Sequence, residues 1–209
     1  MSVLDETHNL LYLYRYALGP MEVPRNYLKW AFMGMLAGLV GNRVWVRKLG
    51  KRLAPNLYIN FLGASATGKD TAIDKALDLV IGDERLARRF NYYNGTASHQ
   101  KLFQRMTRKT PEADGVPQSQ LCLVTPELSY SLGNGESADG FIKFMTALYG
   151  GKDYLIERDT VTGGNYVLKD HCLNWISGST INWFPFQALM ITTTLLFRVI
   201  EGLLKRWQQ

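Results

Sequence analysis

Cysteine is scarce in this sequence: the 209 residues hold two, Cys122 and Cys172, each inside an apolar run. So few thiols argue against a disulfide scaffold or a cysteine-rich metal site, and both positions read as reduced core residues. Long hydrophobic runs are also missing. The longest, "WAFMGMLAGLVG" and "ALMITTTLLFRVI", fall well short of the roughly 20 residues a membrane-spanning helix needs. The opening "MSVLDETHNLLYLYRYALGP" places acidic residues early and lacks the basic-then-apolar pattern of a secretory signal. No internal repeat, low-complexity segment or long basic tail is visible. These absences lead us to expect a soluble, cytoplasmic protein.

The composition is that of a globular chain, 46% hydrophobic and 20% charged, long enough to bury a substantial core. A net charge of +6 and a pI near 9.3 favour an anionic partner. The basic excess is distributed along the chain, with small clusters at Arg43 to Arg52, Arg85 to Arg89 and Lys205-Arg206.

The pattern predicts a short helix over 3–18, stopped by Gly19-Pro20. Pro24 opens a second, "PRNYLKWAFMGMLAGLVGNRVWV", in which Leu28, Phe32, Met35, Leu36 and Leu39 recur at near-helical spacing. A basic turn, "RKLGKRLAPN", leads into the first strong strand, "LYINFL". After it come a helix "DTAIDKALDLVIG", a short strand in "FNYYNG", and a helix capped by Thr96 or Ser98. A polar loop "TPEADGVPQS" precedes "QLCLVT", which has the look of a buried parallel strand. Helix "GFIKFMTALYG" follows, then "GKDYLIERDTVTGGNYVLKDH" as a hairpin or extended loop, and a last buried strand "CLNWISGST". Strands alternating with helices predict an α/β protein with a mostly parallel sheet flanked by helices. The expected organisation is an N-terminal helical segment over 1–52 and a nucleotide-binding core over 53–209.

The chemistry concentrates where "LYINFL" ends. Gly63, Ala64, Ser65, Ala66, Thr67, Gly68 and Lys69 form Gly-x-x-x-x-Gly-Lys, a phosphate-loop (Walker A) signature. Glycines let the backbone curl until successive N–H groups face phosphate oxygens, the following helix adds its positive dipole end, and Lys69 supplies an ammonium for the β- and γ-phosphates. A predicted strand before the loop and a helix after it give the required context. The next position, where Ser or Thr normally helps hold Mg²⁺, is Asp70. Its carboxylate can take the metal directly or through water, and Thr71 keeps a hydroxyl close by. A hydrolase also needs an acid at the end of a neighbouring strand. Glu127 in "LCLVTPE" is the candidate, as a water-orienting base or as the cap of the following helix. Ser177, Ser179 and Thr180 in "WISGST" read either as a sensor beside the γ-phosphate or as ordinary strand-end turn residues. Arg198 in "LLFRVI" reads as an arginine finger toward a neighbouring subunit or as a snorkelling surface residue.

With these landmarks the chain resembles a family of phage- and plasmid-encoded P-loop ATPases related to the helicase portion of primase–helicase replication proteins. The likeness runs through "PNLYINFLGASATGKDTAIDKAL", "YNGTASHQKLFQ", "LVTPELSYSLG", "FMTALYGGKDYLIERDTVTGG" and "LNWISGST". The resemblance implies a RecA-like core that binds ATP with Mg²⁺ and couples hydrolysis to work on single-stranded or duplex DNA. It further implies a homo-oligomer, a hexamer among the options, working beside a primase or other replication proteins in a bacterial host. Carried over by position, Gly63, Gly68, Lys69 and Thr71 match the nucleotide loop, Glu127 the acid, Ser179 and Thr180 the sensor, and Arg198 a family arginine. The segment 150–169 falls where such motors face DNA, with Lys152, Arg158 and Lys169 toward phosphates; a plain surface hairpin is the other reading. The C-terminus, "ALMITTTLLFRVIEGLLKRWQQ", departs from the pattern. It has no glycine loop before the arginine and no further strand, as expected of a truncated or altered end. Two other functions stay open: a nucleotide-binding module without hydrolysis, and a small nucleotide or metabolite kinase, to which Gly-Lys-x-Thr is also suited.

Overall fold

The structure, a computed structural model, describes residues 9–48, 51–95, 98–107, 119–128, 136–149, 168 and 171–180. Helix α1 (Leu10–Leu18) begins later than the apolar pattern predicts. The Asn9 side chain accepts from the N–H groups of Leu11 and Tyr12 at 3.1 and 3.2 Å, an N-cap that satisfies two donors the helix itself cannot. Helix α2 (Arg25–Val40) ends six residues before the predicted Val46. The cause is Gly41, left-handed at φ +51° and so close to the Gln120 side chain that no Cβ fits. A 3₁₀ turn (Gly41–Arg43) follows. Where a basic turn was expected, the chain forms an antiparallel hairpin of β1 (Val46–Lys48) and β2 (Lys51–Leu53).

The main sheet has four strands: β3 (Tyr58–Leu62), β4 (Tyr92–Asn94), β5 (Gln120–Thr125) and β6 (Cys172–Ser179). Their spatial order is β3-β6-β5-β4, every neighbouring pair parallel. All six residues of β5 are buried, which is why its four central residues, Leu121 to Val124, read as an apolar run. Helices α3 (Lys69–Ile81), α4 (Glu84–Ala87), α5 (His99–Thr107) and α6 (Glu136–Tyr149) connect the strands. Of the two caps expected for α5, Ser98 acts: its Oγ accepts from the Lys101 N–H at 3.3 Å. Helix α6 starts four residues ahead of Gly140, so that glycine lies within the helix rather than opening it.

Each face of the sheet carries its own core. On one, α2 and α3 pack Leu28, Phe32, Met35, Ile73 and Leu77 against Phe61, Val124 and Ile176. Helix α2 comes exceptionally near: a Cβ on Gly34 would lie 2.7 Å from Ile176 Cδ1, and one on Gly38 2.9 Å from Cys122 Sγ. On the other, α5 and α6 pack Leu102, Phe103, Phe141 and Met145 against Leu121, Leu123 and Leu173. There the Trp175 ring lies between those of Tyr58 and Phe141, at centroid distances of 5.9 and 5.6 Å. Cys122 and Cys172 are free and buried, as expected. Burial pushes the Cys122 thiol up to about 12 and that of Cys172 to about 11, so both stay protonated and unreactive near neutrality. Among the described residues, no helix is long and apolar enough to cross a membrane.

Candidate functional site

Parallel strands deliver their following loops to one side of a sheet, and in open α/β folds ligands bind there. Here the carboxyl ends of β3, β5 and β6 bring together the loop 63–68, the turn at Pro126-Glu127, and Ser179-Thr180. The first residue of the loop still belongs to the ladder, since the Gly63 N–H donates to the Ser179 carbonyl at 3.2 Å. Beyond it the chain turns sharply. Gly68 is left-handed at φ +79°, and Ala66, at φ +61°, is the one non-glycine residue of positive φ among those described. Holding an alanine there costs roughly 1–2 kcal/mol. The tip, Ala64 to Ala66, is exposed, and Gly68 precedes the first residue of α3, Lys69.

Both glycines are required by close approaches from the N-terminal part of the chain. A Cβ on Gly63 would lie 2.6 Å from the Tyr27 hydroxyl and 2.8 Å from Thr67 Oγ1; one on Gly68 would meet Val23 at 3.0 Å. The Tyr27 hydroxyl also donates to the Leu62 carbonyl at 2.8 Å. Val23 and Tyr27 thus clasp the loop at its two hinge points. The motif gave no hint of either residue, because a contact between positions 35 apart in the chain leaves no trace in local spacing.

Lys69 lies inside the curl, 7% exposed. Its ammonium donates to the carbonyls of Gly63 at 2.9 Å and Ala64 at 2.7 Å, with Thr67 Oγ1 at 3.4 Å. Thr67 in turn donates to the Ala64 carbonyl at 2.9 Å. Among the described residues, all the partners of this buried cation are neutral oxygens.

Asp70 is exposed and reaches the end of β6, where a Cβ on Gly178 would lie 3.5 Å from its Oδ1. Thr71, one position round the helix, is exposed as well. On the far side of β6, Ser179 Oγ donates to Glu127 Oε1 at 3.4 Å, a long contact. Ser177 points back into the sheet, donating to Asn60 Oδ1 at 3.2 Å, and Trp175 Nε1 donates to Thr125 Oγ1 at 2.8 Å. The Thr180 hydroxyl is buried and has no hydrogen-bond partner among the described residues. The structure therefore gathers Lys69, Asp70, Glu127 and Ser179 at one end of the sheet. Arg198, Lys152, Arg158 and Lys169 lie outside the described residues.

A nucleotide phosphate with Mg²⁺ fits this donor set. The loop offers a curled backbone, a helix N-terminus and a sequestered ammonium for the phosphates. Asp70 and Thr71 offer hard oxygen ligands. Among the described residues no three His, Cys, Asp or Glu side chains cluster as a metal cage. Mg²⁺ does not need one, since it usually takes one or two carboxylates together with substrate phosphates and water.

Comparison with protein-family models, curated proteins and solved structures finds no match for this chain. Fold and site together define a parallel α/β protein with flanking helices, a topology compatible with nucleotide binding.

Proposed function

We propose that loop 63–69 is a phosphate-binding loop and that the protein is a helicase-like ATPase acting on DNA in phage or plasmid replication. One observation carries the nucleotide part: the Lys69 ammonium is buried in the curl and, among the described residues, its partners are neutral oxygens only. Buried charges are normally paired with an opposite charge. This one is held at the mouth of a helix N-terminus, and an anion entering the curl would supply the missing counter-charge. The Lys69 side chain would then exchange the Gly63 and Ala64 carbonyls for phosphate oxygens.

The strand order supports hydrolysis over simple storage. Glu127 follows β5, which is separated from the loop-bearing β3 by β6. Two strand spacings, about 9.6 Å, leave room for a water between the carboxylate and a terminal phosphate. Glu127 would orient that water and accept its proton, while Ser179, bonded to Glu127, would couple the base to the strand that ends beside the loop. Bound Mg²⁺ would neutralise phosphate charge, with Asp70 and Thr71 as its protein ligands. The work on DNA, the homo-oligomeric state and partnership with replication proteins follow from the family resemblance. Asp70, standing where a hydroxyl is usual, favours the second reading, a module that binds Mg-ATP and does not turn it over.

The test is ATP hydrolysis by the purified chain, with and without single-stranded DNA, beside Lys69→Ala. Turnover stimulated by DNA and reduced at least a hundredfold in the variant supports the ATPase. Mg-ATP binding without turnover above the variant selects the binding module, and loss of both overturns the nucleotide reading.

A further inference from the structure

We infer that the β1–β2 hairpin is a contact site for single-stranded nucleic acid, tethered at the end of the sheet opposite the glycine loop. The first observation is charge. Between Gly41 and Leu53 the sequence carries five of the chain's 24 Lys and Arg residues and none of its 18 Asp and Glu. The remaining residues are close to neutral, 19 basic against 18 acidic, so most of the net charge of +6 is concentrated here rather than distributed along the chain. Such one-sided clustering is the electrostatic footprint of a polyanion site.

The second observation is register. In the hairpin Arg47 pairs with Arg52 and Lys48 with Lys51. Like charges directly opposite on antiparallel strands repel, and a two-stranded hairpin has little stability of its own to set against that. A segment that served only to connect α2 to β3 would gain by losing these pairs. A strand of phosphates laid along the face of the Arg47–Arg52 pair turns that repulsion into attraction and releases counterions.

The third observation separates single strands from other anions. Trp45 precedes β1 and is 42% exposed, with Val44 and Val46 exposed beside it. Trp45 and Arg47, two positions apart, share a face, and the Arg47 guanidinium lies 5.9 Å from the indole centroid. An accessible indole beside a guanidinium is a stacking surface for unpaired bases, which a duplex keeps inside its stack. The connection 54–57 ties this surface to the amino end of β3, whereas the glycine loop follows its carboxyl end. Nucleotide and nucleic acid would therefore occupy opposite ends of the sheet, and neither reading depends on the other.

The experiment is fluorescence anisotropy of a labelled oligo-dT with the full chain, without nucleotide, over a range of salt. Wild-type protein should bind with an affinity that falls steeply as salt rises. Arg47→Gln/Arg52→Gln should bind about tenfold more weakly at low salt, with a log–log salt slope shallower by roughly 1.4, two contacts at about 0.7 each. Trp45→Ala should lose about fivefold or more through stacking. Lys69→Ala should bind the oligonucleotide like wild type, which separates this site from the nucleotide loop. An unchanged circular dichroism spectrum and melting temperature check that the variants keep the fold. The inference is overturned if the hairpin variants bind like wild type, or if wild type does not bind at low salt. It is equally overturned if a duplex of equal length competes as well as oligo-dT, or if the substitutions weaken only the binding of anionic lipid vesicles.

Discussion

The two ends of the sheet treat positive charge in opposite ways. At the carboxyl end one cation, Lys69, is buried and held by the loop's own carbonyls. At the amino end a cluster of cations is set out on a hairpin, Arg47 against Arg52 and Lys48 against Lys51, with no acid near in sequence. The first arrangement fits an anion small enough to enter a curl, and its geometry is dictated residue by residue. The second fits an extended anion, and its geometry needs only a row of charge and a ring to stack on. Where a charge is fixed by hydrogen bonds, the ligand is defined by shape. Where like charges are set opposite one another in register, the ligand is defined by charge density.

Substitutions at the carboxyl end should be the more disruptive and can break the contrast outright. The largest effect is expected from Gly178→Val on β6. Any Cβ there lies 2.7 Å from the Pro126 carbonyl, a backbone atom, so the turn carrying Glu127 must move. Overpacking of this kind costs about 1–3 kcal/mol. A thermal melt should show a fall of several degrees, and ATP turnover should drop further than stability alone explains. If turnover and melting temperature are both unchanged, the end of β6 does not position Glu127.

A smaller effect should come from Tyr27→Phe, which removes the hydrogen bond to the Leu62 carbonyl and keeps the ring. The net loss should be about 1 kcal/mol or less in stability, with nucleotide affinity reduced a few-fold as one hinge of the loop loosens. Titration calorimetry with Mg-ATP beside a denaturant melt separates the two. Equal losses in both would make Tyr27 a packing residue only.

The smallest effect sharpens the contrast from the acidic side. Asp70, Asp74 and Asp78 lie four apart along α3, and burial, then the neighbouring Asp70 and Asp78 carboxylates, raise the Asp74 pKa above its usual value. A carboxyl raised in the folded state favours folding while protonated, so its contribution falls as pH climbs from the ordinary carboxylate range through the raised pKa. Asp74→Asn should therefore stabilise by a few tenths of a kcal/mol at neutral pH. The gain should vanish in acid, as read from melts at two pH values.

The regular strands were legible because their apolar content is their signal. "QLCLVT" and "CLNWISGST" read as strands because they are buried on both faces, "LYINFL" because it is an apolar run ahead of the glycine loop, and α3 was placed by that loop. The hairpin was not legible. Arg, Lys and Gly carry little strand preference, and the strands are only three residues each. Helix α2 overran in the reading because its end is decided by Gly41 meeting Gln120, a contact from a distant part of the chain. At the site, Lys69, Asp70 and Glu127 were legible as residue types at fixed spacing. The clasp by Val23 and Tyr27 was not, nor was the space that Gly178 leaves for Pro126.

That clasp bears on how such a protein can be cut and recombined. The glycine loop is spelled by consecutive residues, yet its two hinges are shaped by Val23 and Tyr27. A crossover between Tyr27 and Tyr58 that joined this loop to a different leading helix would carry the motif intact and lose its support. The smallest piece that carries the loop with its supports therefore begins no later than Val23, well before the first letter of the motif.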